Sequence, residues 1–169
     1  MKIIKTILLL ISMLGVLAQA NAQTQTKATL NNVIAAYFGV KNGLVADNNA
    51  SARSKSKELN MQVAAVSTKD MSAAQQAVWK TYADKLNFDS SHISESTDIA
   101  HQREHFAALS KNMYEVLKAF KVNSIPVYWQ YCPMKKQSWL SETSAIKNPY
   151  YGSDMEDCGS TKETLKAVK

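Results

Sequence analysis

The stretch STDIAHQREHFAALSKNMYEVLKAFK, residues 96–121, decides the fold because it is the longest amphipathic run in the chain. Its apolar side chains recur at spacings of three and four residues, which is the periodicity of one helix face. They are Ile99, Phe106, Leu109, Met113, Val116, Leu117 and Phe120. The pattern predicts a long helix whose broad apolar face must be covered by other helices.

Three shorter amphipathic segments precede this helix. Thr29 is the predicted N-cap of the first, the turn at residues 47–49 caps the second, and Ser72 with Gln75 forms a capping box for the third. Residues 87–94 are predicted to be a polar break between the third and fourth helices. Four amphipathic helices joined by short links predict an all-α fold, an antiparallel four-helix bundle over residues 29–121.

The last fifty residues have a different composition. They hold all three prolines, and Val127, Trp129 and Tyr131 alternate with more polar neighbours as in a short strand. We predict an irregular, short-β appendage over residues 122–160 that carries both cysteines, followed by a tail at 161–169.

The first residues are typical of a secretory leader. Lys2 and Lys5 precede an apolar run at 7–17, and Ala20 and Ala22 supply a small-x-small cleavage signal. We therefore predict a signal peptide at residues 1–22, a frayed segment at 23–28, and a periplasmic or secreted product that does not insert into the membrane.

Charge and glycine content argue against two classes of function. Twenty basic against fourteen acidic residues give a formal charge of +6, and the basic residues form no long run. An exported protein without a basic stripe is not expected to bind nucleic acid. Five glycines in 169 residues form no phosphate-binding cluster, so nucleotide-dependent chemistry is not expected either.

Sulfur ligands form the first candidate site. Cys132 and Met134 flank a proline, and Met155 and Cys158 are three residues apart. Thiolates and thioethers favour soft ions such as Cu(I), so these four residues are candidate metal ligands. The alternative is a structural disulfide between Cys132 and Cys158, which would stabilise the fold by about 3.5 kcal/mol by closing a loop of 27 residues. Both interpretations stay open.

Histidines form the second candidate site. His101 and His105 lie one helical turn apart and can share a metal ion, or they can serve as additional ligands to an ion held by the four sulfur residues. His92 is expected to be simply exposed. The spacing His-x-x-Glu-His is also that of inverted zinc peptidases, with Glu104 as the base. Such peptidases need a larger scaffold with a distant third ligand, so we do not predict an enzyme. The alternative is a polar flank of a bundle helix.

Aromatic residues of the appendage allow two interpretations. Their rings could seal the appendage onto the bundle, or they could form a recognition surface. In the second case Trp139, Tyr150 and Tyr151 would be presented to a protein partner by a metal-free module braced by the disulfide.

Six short segments of the chain resemble a family of bacterial exported domains of unknown function. Those segments are Ala36-Tyr37 with Lys41 and Leu44-Val45-Ala46-Asp47; Gln102-Arg103-Glu104-His105-Phe106 with Leu109-Ser110; Tyr131-Cys132-Pro133-Met134; Trp139-Leu140-Ser141; Asn148-Pro149-Tyr150-Tyr151-Gly152; and Met155 with Cys158-Gly159. Some members of that family end the periplasmic adaptor subunits of heavy-metal and copper efflux pumps. The resemblance implies a protein that handles copper or another soft metal, with such an adaptor as partner.

Overall fold

A computed structural model describes residues 26–168 of the chain. The predicted signal peptide and residues 23–25 lie outside this range. Helix α1 occupies residues 26–45. It is followed by α2 (Asn49–Ala64), α3 (Ala73–Glu95) and α4 (Ile99–Phe120), then by β1 (Val127–Cys132), β2 (Gln137–Ser141), a 3-10 turn (Gly152–Asp154) and β3 (Ser160–Leu165).

Side-chain caps begin three of the helices. Asn48 accepts a hydrogen bond from the Ser51 backbone N–H at 2.9 Å, which confirms the predicted start of α2. The capping box of Ser72 and Gln75 is formed at the start of α3, as predicted. Asp98 caps α4, so that helix begins at Ile99 rather than at residue 96. Local capping chemistry thus determines where these helices begin.

Two predictions about helix ends were wrong. Thr29 is not a cap, because residues 26–28 are already helical. The predicted polar break at 87–94 belongs to α3, which continues to Glu95. Its serines are accommodated by hydrogen bonds with α2: the Ser56 hydroxyl donates to the Ser90 carbonyl at 2.8 Å, and the Ser90 hydroxyl donates to Asn60 at 2.5 Å. The buried residues between Leu86 and Ile93 are polar and pair with a polar partner, so the apolar pattern of α3 is sparse over this segment.

The helices pack in the order of the chain. Helix α3 contacts both α2 and α4, and strand β2 packs on α4. The buried residues of α1 and α4 meet in the core, where the rings of Tyr37 and Phe106 stack with centroids 5.3 Å apart. The four predicted helices are therefore present, while their arrangement as an antiparallel bundle stays a prediction.

The predicted appendage contains a three-stranded antiparallel sheet. Its order is β2-β1-β3, with Trp129 opposite Leu140 on one side and opposite Glu163 on the other. The prediction of strand character at 127–131 is confirmed, but the predicted tail at 161–169 holds most of β3. Strand β3 reads STKETL and lies largely exposed at the edge, so it lacks the apolar alternation that marks a half-buried strand.

Hydrogen bonds among Asp47, Arg103 and residues 149–153 fix the segment after β2 to the helices, and we call this group the polar lock. Asp47 accepts hydrogen bonds from the Ser153 N–H and hydroxyl at 2.8 and 2.6 Å and from Arg103 at 2.5 Å. These hydrogen bonds, led by those of Ser153, lower the pKa of Asp47 to about 2. Arg103 also donates to the Pro149 carbonyl at 2.8 Å. Gly152 has φ +59°, and a Cβ there would overlap the Asp47 carboxylate, so the lock requires glycine.

Helix α1 is joined to β2 by buried polar contacts. The Lys41 ammonium lies 2.9 Å from the Glu142 carboxylate, and the Lys41 side chain is 3% exposed. The Tyr37 hydroxyl accepts from the Leu140 N–H at 3.1 Å and lies 2.7 Å from the Ser110 hydroxyl. Burial of this hydroxyl raises the pKa of Tyr37 well above its ordinary value. The helices and the sheet therefore share one core.

Two aromatic residues of the sheet region, Trp139 and Tyr150, face that core. Trp139 is fully buried and Tyr150 is 4% exposed, and the Tyr150 hydroxyl donates to the Ser138 carbonyl at 2.6 Å. The proposed presentation of Trp139 and Tyr150 to a partner is therefore wrong, and the alternative that these rings seal the sheet onto the helices is correct. Tyr151 is half-buried.

None of the helices within residues 26–168 has both the length and the apolar composition needed to cross a bilayer.

Candidate metal site

All three histidines of the chain meet in one cluster. His92 comes from α3, and His101 and His105 come from α4. Each contributes a ring nitrogen, and these three atoms lie within 4.8 Å of one another. We call His92, His101 and His105 the histidine triad. All three side chains are half-buried, so their ring nitrogens can be reached from solvent.

The connection between the two helices explains the cluster. His92 is in the last turn of α3, and only residues 96–98 separate α3 from α4. A link this short places the end of one helix beside the start of the next. His101 and His105, four residues apart, then face His92 from one side of α4.

The rings are packed closely together. The centroids of His92 and His105 are 4.3 Å apart with planes inclined by 10°, and those of His101 and His105 are 4.7 Å apart at 64°. Phe88, one turn before His92, lies with its centroid 4.5 Å from the His92 ring and is 59% exposed. The triad is thus covered on one side by an exposed aromatic ring.

A buried carboxylate orients one member of the triad. Asp89 Oδ1 lies 3.1 Å from His105 Nδ1, and Asp89 is 5% exposed. Burial raises the pKa of Asp89, and the hydrogen bond with His105 opposes that rise. Because Nδ1 of His105 is bonded to the carboxylate, Nε2 is the ring nitrogen that stays available to a metal ion. Carboxylates hold metal-binding histidines in this way, fixing the tautomer and making the ring a better ligand.

The triad is compatible with a metal ion after small side-chain rotations. Nitrogens bound tetrahedrally to one ion at 2.0–2.1 Å lie about 3.4 Å apart. Two ring nitrogens of the triad that are 4.8 Å apart, the upper limit here, must therefore approach each other by about 1.4 Å. The lone pairs of an imidazole lie in its ring plane. One ring of the stacked pair His92 and His105 must therefore turn to share an ion with its neighbour.

The sulfur ligands predicted from the sequence lie elsewhere. Cys132 and Cys158 do come together, with their Sγ atoms 3.7 Å apart and not bonded. Met134 is 65% exposed and Met155 is half-buried. Within residues 26–168, the histidine triad is the group of three or more His, Cys, Asp or Glu side chains whose ligand atoms lie close together. Neither cysteine belongs to it. The predicted ligand set is therefore divided between two places.

Glu104 is also separate from the triad. It is exposed and lines a groove with Arg103 and Tyr150, on the side of α4 that faces the sheet region. The group of close ligand atoms does not include it. The residue predicted as the base of an inverted zinc peptidase therefore lines the groove beside the sheet region and is not one of the close ligand atoms.

Sequence reasoning missed His92 and Asp89. Both residues lie in the polar break predicted at 87–94, because α3 was predicted to end before them. The available signal was the spacing of Phe88, Asp89 and His92, which places aromatic, carboxylate and imidazole groups within one helical turn. These three residues lie on one helix face only because α3 continues to Glu95.

Comparisons with known proteins locate this region within a family. A family model described as "Protein of unknown function (DUF3347)" matches residues 33–125. No curated protein and no solved structure matches the chain. The matched segment includes the triad and Asp89, and it ends before both cysteines. Because it spans more than half of the 169 residues, the chain belongs to this family of unknown function.

Proposed function

We propose that the protein binds a transition-metal ion through His92, His101 and His105. One observation carries the proposal: every histidine of the chain lies in one half-buried cluster, although the three come from two helices. The hydrogen bond between Asp89 and His105 supports it, because a buried carboxylate behind an imidazole is the usual second layer of a metal site.

Copper is the first candidate ion. Imidazole suits copper, zinc and nickel, and a given nitrogen site binds divalent copper most tightly among the first-row ions. Three protein ligands would leave a coordination position open, which allows an ion to be taken up and passed on. The sulfur ligands predicted from the sequence favour Cu(I), whereas the imidazole site proposed here accepts copper in its divalent state.

Export and partnership remain predictions. The leader-like residues 1–22 support a periplasmic or secreted location, and the family resemblance supports an adaptor subunit of a metal efflux pump as partner. Under this proposal the protein would hold copper outside the cytoplasm and deliver it to that adaptor.

Titration with metal ions tests the proposal directly. We expect one equivalent of Cu(II) or Zn(II) to bind the Cys132→Ala/Cys158→Ala variant and to raise its melting temperature, because an ion bound only by the folded state stabilises it. At an ion concentration of a hundred times Kd the gain is about 2.7 kcal/mol. Calorimetry gives the stoichiometry and circular dichroism the melting temperature. A cysteine-free variant that is folded but binds neither ion would refute the proposal.

Replacing Asp89 by asparagine should weaken metal binding without removing a ligand. The amide keeps the shape but no longer fixes the tautomer of His105, so we expect the affinity to fall by about 10–100-fold. The control is Asp84→Asn, which makes the same change at an exposed position of α3. Equal affinities for the two variants, measured by competition with a chelator, would show that Asp89 does not support the site.

A further inference from the structure

Cys132 and Cys158 form a pair that the metal proposal does not use. Cys132 is the last residue of β1 and is fully buried, while Cys158 lies just before β3 and is half-buried. Tyr131 pairs with Ser160 across the sheet, so the backbone itself brings the ends of the two strands together. Their Sγ atoms are 3.7 Å apart, and the two are the only cysteines of the chain.

The structure holds both thiols in place. The Lys135 N–H donates to Cys132 Sγ at 3.5 Å, in the turn that follows β1. Asn148 donates to the Cys158 carbonyl at 2.8 Å, and the Cys158 N–H donates to the Met155 carbonyl at 3.3 Å. A disulfide needs sulfurs about 2.05 Å apart, so a closure of roughly 1.7 Å at the side chains completes the bond.

We propose that Cys132 and Cys158 form a thiol–disulfide exchange site in which Cys158 is the outer thiol and Cys132 resolves the mixed disulfide. The oxidant is a low-molecular-weight disulfide, because Cys158 is only partly exposed and Cys132 is not exposed at all. The pair is independent of the histidine triad, which lies on α3 and α4 and shares no residue with it.

The reaction proceeds in two exchanges. Cys158 loses its proton to solvent, and its thiolate attacks one sulfur of the disulfide, releasing the other half as a thiolate. The Cys132 thiolate then attacks Cys158 Sγ, forming the internal disulfide and releasing the second half. Two protein thiols are oxidised and one disulfide is reduced to two thiols, which take up the two protons.

The two thiols differ in acidity as well as in exposure. Burial raises the pKa of Cys132, but hydrogen bonds from the Lys135 N–H and from Asn148 outweigh it, and the net pKa lies below the ordinary value. Burial and the neighbouring Cys132 raise the pKa of Cys158. The partial exposure of Cys158 assigns the first attack to it, although its raised pKa lowers the fraction present as thiolate, and the stabilised thiolate of the buried Cys132 is ready for the second attack.

Oxidised glutathione is the probe that tests this inference. The folded full chain is incubated with it, quenched with acid at intervals, and analysed by intact mass and peptide mapping. We expect the wild-type protein to become two hydrogens lighter, with Cys132 linked to Cys158, and to return to the free thiols with dithiothreitol. We expect the internal bond to raise the melting temperature by about 10 °C.

Single-cysteine variants identify the order of attack. Cys132→Ala should stop at one glutathionyl group on Cys158, while Cys158→Ala should react at least about tenfold more slowly because its remaining thiol is buried. Should the alanine at position 132 impair folding, peptide mapping of early wild-type samples gives the same assignment. Thiols that stay free in the folded protein, a first adduct on Cys132, or a mixed disulfide that never resolves would each overturn the inference.

Discussion

Replacing His105 by alanine is expected to abolish metal-dependent stabilisation of the protein. The change removes one of three imidazole ligands together with the ring that Asp89 orients. We expect the affinity for Cu(II) or Zn(II) to fall by more than about 100-fold, beyond the effect of losing an outer partner alone. The rise in melting temperature on adding the ion should then disappear at concentrations that saturate the wild-type protein.

The readout is the shift caused by the ion, not the melting temperature itself. Asp89 is 5% exposed and loses one of its hydrogen-bond partners in His105→Ala, so the metal-free variant is expected to be less stable for a reason unrelated to metal. His92→Ala and His101→Ala should lose the shift as well. Lys111→Ala, an exposed position on α4, is the matched control and should keep it. A His105→Ala variant that retains the full shift would contradict the proposed site.

Replacing Glu142 by alanine is expected to lower the stability of the folded protein strongly. It leaves the Lys41 ammonium, whose side chain is 3% exposed, without its partner at 2.9 Å. Removing one member of a buried pair costs about 3–5 kcal/mol because the other charge stays uncompensated. The Glu142 side chain is 25% exposed and would admit water, so we expect a value near 3 kcal/mol in the free energy of unfolding by urea.

The chain offers a matched exposed pair as control. Lys55 and Glu58 lie 2.8 Å apart with side chains 47% and 43% exposed, so Glu58→Ala should cost less than about 1 kcal/mol. Adding Lys41→Met to Glu142→Ala should restore part of the loss by removing the buried charge. If Glu142→Ala and Glu58→Ala prove equally stable, the pair with Lys41 does not hold α1 to β2.

Helix starts were the most predictable part of the fold. Asn48 and the Ser72–Gln75 box act through hydrogen bonds to residues three positions away, so the local sequence is enough to predict them. The end of α3 was not predictable in this way. Its Ser90 pairs with Ser56 and Asn60 of α2, and the buried residues between Leu86 and Ile93 are polar, so the apolar pattern there is too sparse to mark the helix.

Several of the segments that resemble the exported family contact one another in the structure. Asp47, Arg103 and the Asn148–Gly152 segment stand far apart in the sequence, yet they form one hydrogen-bonded lock. Asn148 is fully buried, and its side chain bonds both the Tyr150 N–H and the Cys158 carbonyl. These residues therefore position the segment that carries Cys158.

Periodicity, capping and side-chain chemistry are local properties, and they were enough to predict four amphipathic helices, a strand at 127–132 and two groups of residues of metal-binding type. The sequence also suggested that Cys132 and Cys158 would meet, and they do. Only the tertiary structure decided that His92 joins His101 and His105 while the cysteines stay apart from them. Which residues of two different helices share a site depends on how those helices pack, and packing is set by contacts distant in sequence.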